Sequence, residues 1–426
     1  MAIPPPASDD QASTPREDGS RLAAFQARMF LGKTRRRESG TYFLVLGTTL
    51  FLVAIGLVMV LSSSAITSFA SGDSGFFGAF LRQGTFALIG VPLMLVISRF
   101  PISFWKKWAW HFLGAGILLQ LLVFVPGIGI SSYGNQNWIR LGPLTGQPSE
   151  FLKLGLIVWM GFILWRKQDR LRDWKHALIP VFPAAVLAIG LVVLGADLGT
   201  GIIMFAIFMS ALYFANVRMR ILAIPLIFGA LAVAAMTVLS PNRVARILNF
   251  AGDSCDASTD ISGLCWQPLH GLWAIANGGV LGVGLGNSKA KWLWLPAAEN
   301  DYIFAIIGEE LGMVGAIVVI LLYLVLTFAL IRVMRNARDL FGTVVTGSIL
   351  VWIVGQAFVN IGVVIGLLPV LGVPLPLLSS GGTALVSCLL GIGVVLSIAR
   401  DSNHKPEDDA LNDTLGARSW APRVPA

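Results

Sequence analysis

Residues 43–62 read FLVLGTTLFLVAIGLVMVLS, twenty positions without a charge. A stretch of that length and polarity crosses the hydrocarbon core of a bilayer as a helix. It is the first of about ten, the others centring on 79–98, 108–126, 149–165, 177–194, 200–215, 221–239, 302–331, 343–367 and 377–399. The expected fold is all-α: a polytopic transmembrane helical bundle of about ten spans. Composition agrees, because 55% of residues are hydrophobic and only 13% charged, whereas soluble domains carry roughly 25% charged residues.

The formal net charge of +8 is explained by its distribution. Arg35, Arg36 and Arg37 precede the first span, and Lys106 and Lys107 follow the second. Arg166, Lys167, Arg170, Arg172 and Lys175 follow the fourth, Arg218 and Arg220 the sixth, and Arg332, Arg335 and Arg338 the eighth. Basic residues in every second connection are the positive-inside pattern, and an even span count then puts both termini in the cytoplasm. No nucleic acid is needed to account for the charge. Residues 1–38, rich in Pro, Ser, Asp and Gly, read as a disordered cytoplasmic tail with no cleavable signal peptide. Residues 39–400 form the membrane domain, 240–301 its one long external loop, and 401–426 a second cytoplasmic tail. No internal repeat is visible, which weighs against a secondary transporter.

A structureless connection of that length is uncommon unless it is functional, and the unusual polar residues gather on the same face: Trp138, Arg140, Asp197, Arg243, Arg246, Lys289, Lys291 and Asp301. A site, if present, faces outward. GGVLGVGLGNSK is glycine-rich, but it has no soluble strand–helix frame and no closing Gly-Lys-Ser/Thr, so it reads as a turn or close packing. The four histidines show no metal-ligand spacing, so no metal site is assigned. A divalent cation (Mg2+ or Mn2+) held by carboxylates stays compatible with the sequence, though no motif demands one. Cys255 and Cys265 share the external loop and are expected to form a disulfide, whereas Cys388 reads as a small packing residue.

Several charges lie within or beside apolar runs, where an ionised group is costly. Glu150 and Lys153 open the fourth span at i, i+3 spacing, which lets them pair on one face; they are either a helix-start salt bridge or a charged pair lining a headgroup cavity. Asp301 stands where the eighth span begins, and local physics alone makes it an N-cap. Glu309 and Glu310 project about 100° apart on a helix and cannot share a face.

The stretches NWIRLGPLTGQPSEFLKL, ADLGTGI, GVGLGNSKAKW followed by LPAAENDYIFAIIGEELG, and QAFVNIGVVIGLLPVLGVPLPLLSSGG resemble, in order, the signatures of the SEDS (shape, elongation, division, sporulation) family. The wording around Asp301 is more similar to division-type than to elongation-type members. The resemblance implies a peptidoglycan glycosyltransferase that polymerises lipid II on the outer face of the cytoplasmic membrane. It also implies a single-pass class B penicillin-binding protein as partner, with other division proteins, at the septum.

The same resemblance makes Asp301 the essential acid, placed to take the proton of the attacking sugar hydroxyl. Lys291, Arg246, Arg243 and Arg140, in that order, are the expected cations for the leaving pyrophosphate. Trp138, Glu150, Lys153, Asp197 and Ser379 complete the expected substrate-binding set. Glu309 and Glu310 are expected to be structural or cavity-lining, with Arg82 and Gln83 as pairing partners. Gln356 and Asn360 are expected to bond between helices. The chain departs from the family pattern at Asn137, where a basic residue often stands, and at Gly195-Ala196, Val370 and Ser380. The alternatives are a lipid II flippase, an elongation-type member of the same family, and a scaffold that recruits a synthase.

Overall fold

The computed structural model describes residues 39–70, 77–132, 135–142, 144–238, 265–292, 294–296 and 298–402. Its helices are α1 (Gly40–Ala70), α2 (Gly78–Ile97), α3 (Ile102–Leu121), α4 (Pro148–Arg166), α5 (Trp174–Leu178), α6 (Val181–Leu194), α7 (Leu198–Phe214), α8 (Met219–Val238), α9 (Trp266–Gly278), α10 (Ile303–Arg335), α11 (Leu340–Val364, with a π-turn at Val351–Gly355) and α12 (Gly382–Asp401). Among the described residues nine segments are long and apolar enough to cross a membrane, and the 17-residue α7 is a shorter apolar helix. Together they account for the ten expected spans.

Burial sorts them into a centre and a rim. About three quarters of α4, α11 and α12 is buried inside the protein, against 22% of α2 and of α8. The central helices are those that carry polar residues, as they must, because a polar group facing hydrocarbon has no partner. The rim helices turn Leu88, Leu187, Ile227 and Phe328 outward, the surface a lipid environment covers.

Two elements depart from the expected architecture. The connection between α3 and α4 contains a small antiparallel sheet, β1 (Gly129–Ser132), β2 (Asn135–Leu141) and β3 (Leu144–Gly146), in the order β1-β2-β3. β1 and β3 are only four and three residues long, and the seven residues of β2 (NQNWIRL) do not alternate apolar with polar. The sheet is tied to the rest of the bundle where Gln136 N donates to Gly195 O at 2.9 Å, just ahead of α7. The last span, in turn, begins at Gly382 and not at 377, and Ile365–Gly381 is non-helical.

Candidate active site

The segment from Leu371 to Gly381 is irregular backbone inside the helical bundle, with Val373, Leu375, Leu377, Leu378 and Ser379 buried. Pro374 and Pro376 deny it helical hydrogen bonds, and Gly372 and Leu377 have positive φ (68° and 69°). Such backbone is tolerated only where the protein itself satisfies its polar groups, and each partner is identifiable. Asn360 Nδ2 donates to Val373 O at 2.8 Å and Gln356 Nε2 to Pro374 O at 2.8 Å. The Tyr323 hydroxyl donates to Pro376 O. Gln83 Nε2 donates to Ser379 O and its Oε1 accepts from Gly381 N, both at 3.1 Å. Helix α1 supports the loop from behind at Gly56, where a Cβ would meet Leu377 O at 2.7 Å. Gln356 does accept across helices, from Lys153 at 3.3 Å, but Asn360 serves loop carbonyls where an interhelical bond was expected.

Three consecutive carbonyls next to Asp301 are pinned to this loop. Glu299 O accepts from Ser380 N (2.8 Å), Asn300 O from Ser379 Oγ (2.6 Å) and Asp301 O from Asn360 Nδ2 (2.7 Å). Asp301 is therefore held by its backbone, and its side chain is left over. It is not the helix cap: α10 starts at Ile303 with Tyr302 in the cap position and no side-chain cap bond. The Asp301 carboxyl is partly exposed and accepts no hydrogen bond from the described residues. The loop faces it at Gly372, where a Cβ would lie 3.8 Å from Oδ2.

Asp197 lies on the same face. It caps α7, its Oδ1 accepting from Thr200 N at 3.0 Å, while its Oδ2 accepts from Asn137 Nδ2 (3.0 Å) and Gln147 Nε2 (2.9 Å). The first turn of α7 presses on the loop so closely that a Cβ on Gly199 would sit 2.2 Å from Leu371 O. Burial first, and the Asp197 charge second, push the Asp301 carboxyl up to about 6. Asn137 and Gln147 were not foreseen as Asp197 ligands. Asn137 stands where a basic residue is common in the family, so here Asp197 receives a neutral donor.

The two following acids face apart, and each is held by its own set of protein donors. Glu309 accepts from Asn277 Nδ2 (2.9 Å), Lys289 N (3.0 Å), Ala290 N (3.3 Å) and the Ser288 hydroxyl. Glu310 accepts from Ser62 Oγ at 2.6 Å and from Lys291 Nζ at 3.1 Å. Arg82 and Gln83, expected to pair with them, do not: Gln83 holds the 371–381 loop, and Arg82 is exposed. Lys291 is 5% exposed and directs its ammonium at Glu310, Gly286 O (2.6 Å) and Ser62 Oγ (3.4 Å). Its three donors are thus directed at protein acceptors. Ser62, Ser288 and Asn277 carry no sequence signal that separates them from other small polar residues at helix ends.

Just beyond these acids α10 is broken. Gly312 has φ 69°, ψ −167°, a region essentially restricted to glycine. The turn 279–284 fills the gap in the helical ladder. Val283 N and Gly284 N donate to Glu309 O and Glu310 O, both at 3.0 Å, and Met313 N and Val314 N donate to Gly279 O (2.9 Å) and Val280 O (3.3 Å). No room remains for a side chain, since a Cβ on Gly312 would lie 2.3 Å from Gly282 N. Gly312→Ala is expected to destabilise the protein by about 3 kcal/mol or more, combining strain with the lost turn bonds. Thermal unfolding in detergent measures this, and an unshifted midpoint would show that the turn does not lock the break.

Of the other residues singled out, Glu150 and Lys153 form a buried ion pair at 2.9 Å. Trp138 is half-buried in β2 and Arg140 exposed beside it. The Ser379 hydroxyl is occupied, donating to Asn300 O and accepting from Leu375 N at 2.8 Å. Arg243, Arg246 and Cys255 lie outside the described residues; Cys265 is buried and disulfide-bonded. Among the described residues no three His, Cys, Asp or Glu side chains converge as a metal cluster.

The fold is a polytopic helical bundle in which an irregular buried loop faces the Asp301 carboxyl, which accepts no hydrogen bond among the described residues. Residues 42–404 match the family described as "Cell cycle protein", the group of FtsW, RodA and SpoVE. The chain is 34% identical over 418 residues to a Mycobacterium tuberculosis protein named "Probable peptidoglycan glycosyltransferase FtsW", covering 96% of this chain and 78% of that one. It is 34% identical over 371 residues to stage V sporulation protein E of Bacillus subtilis, covering 87% and 100%. Among solved structures it resembles a chain described under "Structural coordination of polymerization and crosslinking by a peptidoglycan synthase complex" (TM-score 0.68, 25% identity, 85% of this chain and 98% of that one). It also shares its fold with RodA of Thermus thermophilus (TM-score 0.63, 23% identity, 88% and 100%). The chain belongs to the FtsW/RodA/SpoVE family, the SEDS proteins.

Proposed function

We propose that this protein is a peptidoglycan glycosyltransferase that polymerises lipid II on the outer face of the cytoplasmic membrane during cell division, with inversion at the anomeric carbon. The observation that carries the reading is Asp301: a carboxyl that accepts no hydrogen bond among the described residues, fixed through the backbone carbonyls of residues 299–301 and poised at about 6. A base for a sugar hydroxyl must be ionised near neutral pH and still bind a proton well, and that value meets both needs. In the step, the hydroxyl oxygen of one sugar attacks the anomeric carbon of another, its proton passes to Asp301, and the bond to the polyprenyl pyrophosphate breaks with its electron pair leaving on the phosphate oxygen.

The leaving pyrophosphate needs positive charge. With Lys291 committed to Glu310, that role falls to Arg140, Arg243 and Arg246. A Mg2+ or Mn2+ ion would supply charge at the same place. Both Asp197 oxygens are already used by protein donors, so Asp301 would be its main protein ligand. Water and phosphate oxygens would fill the remaining positions, as is usual for Mg2+. The partner is a single-pass class B penicillin-binding protein that crosslinks the product, both termini face the cytoplasm, and the protein works at the septum.

The pH dependence has a definite sign. Asp301 is protonated, and inactive as a base, below about pH 6, so polymerisation falls about tenfold per unit beneath that point and levels off above it. Asp197→Asn keeps a cap acceptor for α7 but removes the like charge, so the acidic limb moves to lower pH. Initial rates of lipid II polymerisation between pH 4.5 and 8 measure both effects. A limb that stays put in the Asp197→Asn protein would separate the two carboxyls, and no limb at all would remove Asp301 as the base.

A further inference from the structure

We infer that Glu150, Lys153 and Gln356 are positioning residues for the transfer step, one buried relay that fixes the loop on which Asp301 is held and touches no substrate. The inference rests on Asp301 being the base. Lys153 and Glu150 are 1% and 2% exposed, which leaves no face of the pair for a lipid headgroup. The Lys153 ammonium donates to Glu150 Oε1 at 2.9 Å and to Gln356 Oε1 at 3.3 Å, and it lies 5.1 Å from the centre of the Trp352 ring.

That second bond decides which way the Gln356 amide faces. With its oxygen turned to the ammonium, its NH2 must point the other way, and it donates to Pro374 O at 2.8 Å. A flipped amide would set NH2 against NH3+, a repulsive contact. The charge on Lys153 therefore selects the rotamer that grips the loop, and Glu150 balances that charge in a buried site.

One helical turn on, Asn360 lies on the same face of α11. It grips the preceding carbonyl, Val373 O, and also Asp301 O. Gln356 and Asn360 thus hold consecutive loop carbonyls, and the second of them holds the base as well. Releasing Pro374 would loosen the seat of Asn360 and let Asp301 drift. Stability alone gives no reason for the pair, since a buried ion pair contributes little more than well-packed apolar side chains of similar size. Placement does give one, because a shift of about 1 Å at a reacting group costs on the order of 100-fold in rate.

Two variants test this without leaving a lone buried charge. Gln356→Met is of similar length, lacks the N–H that holds Pro374 and leaves Lys153 paired with Glu150. The double variant Glu150→Gln/Lys153→Met removes both charges together. Each is assayed as the full chain in proteoliposomes with labelled lipid II, beside Asp301→Asn. The expected result is a kcat lower by about 100-fold with KM for lipid II within about twofold of the parent. A KM raised tenfold or more, whatever happens to kcat, would make the pair a substrate contact and overturn the inference. So would a parental kcat in either variant, which would reduce the relay to packing. If Asp301→Asn is inactive while these variants are normal, only the relay fails; if Asp301→Asn is itself active, the catalytic reading fails first.

Discussion

Asp301→Asn is expected to abolish glycan polymerisation, with a loss of at least about 100-fold, while the protein inserts and folds normally. Asn is close to Asp in size, and Asp301 is held by its backbone carbonyl, which the substitution leaves in place. Since the side chain caps nothing, Asp301→Ala should be as inactive as Asp301→Asn and no less stable. Stability provides a second check with a definite sign. A carboxyl raised to about 6 in the folded protein binds its proton more tightly there than in the unfolded chain, where it titrates near 3.9. Its contribution to stability is therefore lost as pH rises from about 4 through about 6. At neutral pH the Asn variant should unfold at an equal or higher temperature than the parent. A less stable Asn variant with residual activity would make Asp301 a structural residue.

The second large effect concerns Lys291. Removing its ammonium leaves Glu310, 1% exposed, with the Ser62 hydroxyl as its one side-chain partner among the described residues. Breaking a buried pair from one side costs about 3–5 kcal/mol, because the surviving charge stays buried. Lys291→Met should therefore lower the unfolding midpoint sharply, and Lys291→Met/Glu310→Gln should recover most of the loss. A double-mutant cycle on thermal unfolding in detergent reads the coupling. Should Lys291→Met unfold like the parent and instead raise KM for lipid II, the lysine would belong with the substrate after all.

How much of this was legible in the sequence depends on the type of signal. The spans are visible because twenty apolar residues in a row have one physical meaning in a bilayer; hydropathy puts the fourth at 149–165, and the helix is Pro148–Arg166. The same signal failed at PLPLLSS, where hydropathy cannot tell a buried loop from a helix, and the last span was begun five residues early. Glu150 and Lys153 were legible as a pair because their spacing fixes their distance on a helix. Their tie to Gln356 was not, since it depends on how α4 and α11 pack.

Asp301 shows the limit of local reasoning most clearly. An Asp ahead of an apolar helix reads as a cap, and here the cap position is one residue further on. Glu309 and Glu310 were correctly expected to face apart, because helical geometry alone requires it. Their partners, Asn277 and Ser288 for one and Ser62 and Lys291 for the other, come from segments whose approach no local pattern encodes. The break at Gly312 left only a glycine as its trace, and the turn that fills it lies about thirty residues upstream.

The most direct test of the central claim is reconstitution of the chain in proteoliposomes with labelled lipid II, together with a class B penicillin-binding protein whose crosslinking is blocked. Products are resolved by gel before and after digestion with a muramidase. A glycosyltransferase with Asp301 as its base gives a ladder of glycan strands that the muramidase collapses and that is missing from the Asp301→Asn protein. Lipid II carried across the bilayer with no ladder formed, equally in the parent and the Asn variant, would contradict that claim and make the protein a transporter.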